Sequence, residues 1–124
     1  MLPRFLLPET VAHQDGVGTE IALEDCSKPM LLTLGINRIL EQESLDLSIW
    51  GSPDGQTWRQ IAAFPQKFYC GTYQILLDLT AHPDLKYLRV KWAVARWGKG
   101  DPKPLFGIYL FAQAVKHQLL AVSA

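Results

Sequence analysis

The residues of this chain best suited to contact a ligand are Arg96, Trp97, Lys99 and Asp101, gathered in the run Arg96-Trp97-Gly98-Lys99-Gly100-Asp101. An indole plane can stack on a sugar ring or an apolar side chain, and the cations and carboxylate can hydrogen-bond hydroxyls. The two glycines leave the backbone free to adjust. The plainer reading of the same run is a solubilising loop with Trp97 packed beneath it. Catalysis needs a constellation that the chain does not supply. His13, His82 and His117 fall at no HxH or HExxH spacing. No GxSxG elbow occurs, and Gly16-Val17-Gly18 lacks the strand-to-helix context of a phosphate loop. We therefore expect a binding protein rather than an enzyme, without catalytic residues, metal or cofactor.

Composition narrows the partners. With 124 residues, 48% of them hydrophobic and 19% charged, the chain reads as a single domain over residues 1–124, large enough for its own core. The formal net charge is zero, which removes any general attraction to nucleic acid or an anionic membrane. Charge is uneven along the chain: residues 1–62 hold four basic and nine acidic groups, net −5, and residues 63–124 hold eight basic and three acidic, net +5. Interleaved strands would neutralise these charges against one another; a dipolar surface suited to head-to-tail self-association is the sharper reading. No apolar run reaches the roughly 20 residues a bilayer requires. The N-terminus, interrupted by Pro3 and Pro8, has no signal-peptide core, so a cytoplasmic location is expected, or an extracellular one if a leader has been removed. Cys26 and Cys70 show no CxxC spacing and read as two free buried thiols.

The elements that must position these residues are strands. Leu45, Leu47 and Ile49 alternate with Asp46, Ser48 and Trp50, the period of a strand with one buried face. Trp50 points away from the apolar set, and burial on the far side is the simpler expectation. Pro53-Asp54-Gly55 then reads as a type I turn closed by a residue at positive φ, with a return strand over Trp58–Phe64. Further strands are expected over Thr19–Leu23, Met30–Asn37, Tyr73–Leu79, Lys86–Trp97 and Phe106–Val115. Met30–Asn37 is apolar on nearly both faces and should be central. Residues 1–18 are poorly patterned, with a loop at Asp15–Gly18, and Arg38–Glu43 reads as a helical turn or a loop. Asp46 and Asp78 should face solvent, and His82 beside Pro83 should lie in a turn. With no amphipathic helix, the fold class is all-β: an antiparallel β-sandwich of jelly-roll type.

Ser52-x-Asp54-Gly55-x-x-Trp58, followed about thirty residues later by Lys86-Tyr87-Leu88-Arg89-Val90, resembles the discoidin (coagulation factor 5/8 type C) family of galactose-binding-like sandwiches over roughly residues 30–115. The resemblance implies that the hairpin residues Ser52, Asp54, Gly55 and Trp58 are structural and that the Tyr87-Leu88-Arg89 strand lies within a sheet. It departs from the family in its internal cysteines, its short length and its unmatched loops. The expected function is a non-catalytic recognition module for carbohydrate or a protein surface, with Arg96, Trp97, Lys99 and Asp101 as its site. The alternative is a self-assembling structural subunit of a shell, virion or tail, a homo-oligomer built through apolar termini and charge asymmetry. Ile108–Val115 is apolar on both faces, so its outer face needs cover, which Leu2, Phe5, Leu6, Leu7 and the apolar Leu119–Val122 would provide.

Overall fold

The computed structural model describes residues 2–23, 28–40, 42–97 and 104–115. Nine strands follow in chain order: β1 Arg4–Ala12, β2 Gly16–Val17, β3 Ile21–Ala22, β4 Met30–Ile39, β5 Glu43–Ser52, β6 Arg59–Ala63, β7 Gly71–Leu77, β8 Tyr87–Arg96 and β9 Phe106–Ala114. Among the described residues the only helical segment is a 3-10 turn, Leu79–Ala81, capped by the Asp78 carboxylate. One sheet has the order β1-β9-β4-β7; the other has β2-β8-β5-β6, with β3 also paired to β8. Every pairing is antiparallel. Taking β2 and β3 as one interrupted strand, the chain alternates between two four-stranded layers in the order of a jelly roll.

Alternation in the strands builds the core. Leu32, Leu34 and Ile36 of β4 and Ile108, Leu110 and Ala112 of β9 project from one sheet. They meet Leu45, Leu47 and Ile49 of β5 and Leu88 and Val90 of β8. Burying each such aliphatic side chain stabilises the fold by roughly 1.5–3 kcal/mol. β4 lies between β9 and β7, so it is central in its sheet with both edges hydrogen-bonded. The pairings β1–β9, β4–β9, β4–β7, β5–β8 and β2–β8 each join the acidic half of the chain to the basic half. The imbalance along the sequence is therefore not carried into separate layers.

Several expectations need correction. Residues 4–12 form a strand, not an unpatterned segment. Its alternation is broken by register shifts between Phe5 and Leu7 and between Leu7 and Thr10, and Pro8 falls in the second shift on an edge strand, where a missing N–H is tolerated. Leu6 and Leu7 are both buried as a result. Gly16–Val17, expected in a loop, pairs with β8. Arg38 and Ile39 prolong β4 and Glu43 already belongs to β5, so among the described residues only Leu40 and Gln42 remain for the expected helical turn or loop. Cys70 is exposed rather than buried, and Cys26 lies outside the described residues. The apolar tail Leu119–Val122 also lies outside them.

Candidate binding surface

The described residues of four connections gather at one end of the sandwich: His13–Asp15, Leu40 and Gln42, residues 64–70, and Trp97 with Pro104 and Leu105. Two of them are tied together by Glu43, the first residue of β5. Its side chain is 1% exposed, and its two carboxylate oxygens accept the backbone N–H groups of Leu40 and Leu105, each at 2.9 Å. A carboxylate withdrawn from water must be hydrogen-bonded, and here two backbone donors satisfy it while it fixes two loops. Register places Arg96 directly across from Glu43, on the same face of the sheet. Lys67 and Leu45 exchange both backbone hydrogen bonds at 2.9 Å, and Trp97 donates its N–H to the Gln42 carbonyl at 3.0 Å. The His13 imidazole meets the Pro104 carbonyl at 3.1 Å. Asp15 accepts the Val94 N–H at 2.9 Å, which commits its carboxylate to the end of the sheet.

Beside the Lys67–Leu45 and Trp97–Gln42 backbone bonds sits a cluster of aromatic rings facing solvent. Trp97 meets Phe68 edge-to-face at 6.1 Å, and Phe68 meets Tyr69 at 6.4 Å. Trp97 is 58% exposed, Tyr69 72% and Phe68 40%. Beneath them, Tyr73 donates its hydroxyl to the Tyr69 carbonyl at 2.9 Å, and the Lys67 ammonium lies 4.0 Å from the Tyr73 ring centre. Of the four predicted ligand contacts, Trp97 is at the surface and Arg96 is half-buried beside it; Lys99 and Asp101 lie outside the described residues. Phe68 and Tyr69 were missed. Two adjacent large aromatics cannot both face the core from one strand, so their placement after Pro65 was a readable sign of an exposed connection.

The other predicted set lies at the opposite end. The Ser52 hydroxyl donates to Asp54 at 3.0 Å and accepts the Asp54 and Gly55 N–H groups at 3.2 and 2.8 Å. Asp54 in turn accepts the N–H groups of Gln56 and Thr57, each at 2.8 Å. These donors, Thr57 foremost, hold the Asp54 carboxyl below its ordinary range. Gly55 takes φ +80°, as the turn requires. Trp58 follows as a half-buried ring with the Arg89 guanidinium 4.0 Å from its centre. Close by, Arg59 grips Asp84 with two hydrogen bonds at 2.9 and 2.7 Å, which lowers the Asp84 carboxyl to about 2. His82 caps the 3-10 turn. Trp50, expected to be buried, is half-buried on the outer face of its sheet: its indole N–H donates to Ser48 at 2.9 Å, and the Lys91 ammonium lies 3.9 Å from the ring.

Among the described residues, no three His, Cys, Asp or Glu side chains converge as a metal site would require. Compared with known proteins, the chain matches no family model, no curated protein and no solved structure.

Proposed function

We propose that this protein is a non-catalytic recognition module whose loop end docks on the surface of another protein. The observation that carries the reading is the Phe68–Tyr69–Trp97 cluster, three contacting rings that the rest of the described chain leaves open to solvent. Exposed aromatic patches of this kind mark interaction sites, and Trp and Tyr dominate the energetics of protein interfaces. Protein is favoured over carbohydrate at this end because the polar side chains beside the rings are engaged. Tyr73 serves the Tyr69 carbonyl, Lys67 stacks on Tyr73, and Gln66 donates to Asp46 at 3.0 Å. The resemblance of the opposite hairpin to discoidin-type domains supports a recognition role for the loops.

The test is a comparison of partners retained from a source lysate by wild type and by Trp97→Ala, followed by titration of the purified partner. An affinity at least tenfold weaker for Trp97→Ala and Tyr69→Ala supports the reading. Equal retention by wild type and variants removes it. Sedimentation of the protein alone shows whether the partner is a second copy, the outcome that would favour a self-assembling subunit.

A further inference from the structure

The outer face of the β1-β9-β4-β7 sheet carries a different arrangement. Register sets Phe5, Phe111, Thr33 and Gln74 in one row across the four strands, and Tyr109, Gly35 and Thr72 in another. Gly35 has no side chain, so the Tyr109 ring lies flat across it; a Cβ at that position would fall within the ring. Phe5 stands edge-on to both neighbours, 5.9 Å from Tyr109 and 4.9 Å from Phe111. These rings form part of a hollow of about 560 Å³ whose remaining lining is Glu9, Thr33, Gln74 and Gln113. That volume falls in the range of small-ligand sites.

The polar groups of the hollow are incompletely used. Gln74 donates to the Thr33 hydroxyl at 3.2 Å, which leaves its amide oxygen. Glu9 accepts from Asn37 at 3.4 Å through one oxygen, leaving the other. Gln113 makes no side-chain hydrogen bond within the described residues. Among the described residues no Lys or Arg lines the hollow, and no aliphatic side chain does either. The opposite face of the sandwich differs: there Lys91 covers Trp50 and Arg89 covers Trp58. Cations already occupy those rings, whereas none lies over Phe5, Tyr109 or Phe111 among the described residues.

We infer that this hollow is a binding site for a neutral oligosaccharide. The flat Tyr109 ring and its neighbours match the apolar C–H face of a pyranose. The amides of Gln74 and Gln113 and the Glu9 carboxylate supply planar donors and acceptors for vicinal hydroxyls. With no cation and one carboxylate in the described lining, an anionic sugar or a phosphate gains no counter-charge from these residues. Among the described residues the aliphatic side chains of this face, Leu31 and Leu76 in the row of Gln113, stay outside the hollow, which sets its lining apart from the apolar core of a stable dimer interface.

Calorimetric titration of the full chain with cellohexaose, xylohexaose and mannohexaose tests the site, with oligogalacturonate as the charged probe. At least one neutral hexaose should bind, at least tenfold more weakly to Tyr109→Ala and to Gln113→Ala, and unchanged to Gln60→Ala on the other sheet. Gln113→Ala alters a side chain at the surface and serves if Tyr109→Ala does not fold. The inference is overturned if none of the three neutral probes binds at millimolar concentration, or if oligogalacturonate binds more tightly than they do. It is equally overturned if both variants bind like wild type, or if sedimentation shows a dimer that Gln113→Lys dissociates.

Discussion

The two ends of the sandwich solve the problem of chain reversal in opposite ways. At the hairpin end the polar groups serve the turn itself: Ser52 and Asp54 collect four backbone N–H groups, Asp78 caps the 3-10 turn, and Arg59 clamps Asp84. At the loop end a single buried carboxylate, Glu43, organises two connections from below. Beside them, Phe68, Tyr69 and Trp97 are exposed. One end is closed by its own hydrogen bonds, and the other presents a surface.

Glu43→Ala breaks this difference most severely. It removes two charge-assisted hydrogen bonds from a buried site and leaves the Leu40 and Leu105 donors unsatisfied, so a loss of about 3–5 kcal/mol is expected. Urea unfolding should show a lower midpoint at unchanged slope. A loss below about 1 kcal/mol would mean that the loop end is not built on this residue. The counterpart at the closed end is Gly55→Val, which forces a β-branched residue to the positive φ of the turn and should cost about 2 kcal/mol by the same measurement.

Acid should weaken the closed end in particular. Asp54 and Asp84 both titrate below their ordinary range in the fold, because their hydrogen-bond donors favour the charged form. Groups depressed in this way contribute stability above the unfolded-state pKa and lose it as pH falls through the folded-state value. For Asp84 the window runs from roughly pH 4 down to about 2. Both carboxylates are exposed and solvent-screened, so the effect is small. Asp84→Asn should flatten the decline in thermal midpoint over that window, and an unchanged profile would show that the Arg59 clamp carries none of it. The smallest effect on stability is expected from Trp97→Ala, within about 0.5 kcal/mol of wild type, since the ring is largely exposed. A larger loss would make Trp97 a packing residue and the loop end a second closed end.

Legibility in the sequence follows the range of the interactions. The hairpin was readable because its turn chemistry spans a few consecutive residues, β5 and β8 because their apolar residues alternate, and β4 and β9 because they are short apolar runs bounded by turn signals. β1 was hidden by Pro8 and its bulges, which disturb the period that identifies a strand. Glu43 gave no signal, since Arg38–Glu43 reads as a helical turn or a loop and nothing local marks its glutamate for burial. Trp97 stood out as an aromatic in a glycine-rich run, but its contact with Phe68 joins two loops separated by all of β7 and β8.

The order of polar and apolar residues determined by itself that this chain forms antiparallel strands with one buried face and a tight turn after Ser52, since period and turn chemistry act between neighbours. Only the tertiary structure decided which rings stay open. On the β8–β5 face, cross-strand neighbours supply Lys91 and Arg89 to cover the tryptophans. On the β9–β4 face, Gly35 and uncharged amides leave Tyr109 and Phe111 bare. At the loop end, backbone bonds from Lys67 to Leu45 and from Trp97 to Gln42 hold the segments that carry Phe68, Tyr69 and Trp97, whose rings stay exposed. Whether an aromatic side chain stabilises a fold or meets a ligand depends on the residue across the sheet from it, and that pairing is set by register between segments far apart in the chain.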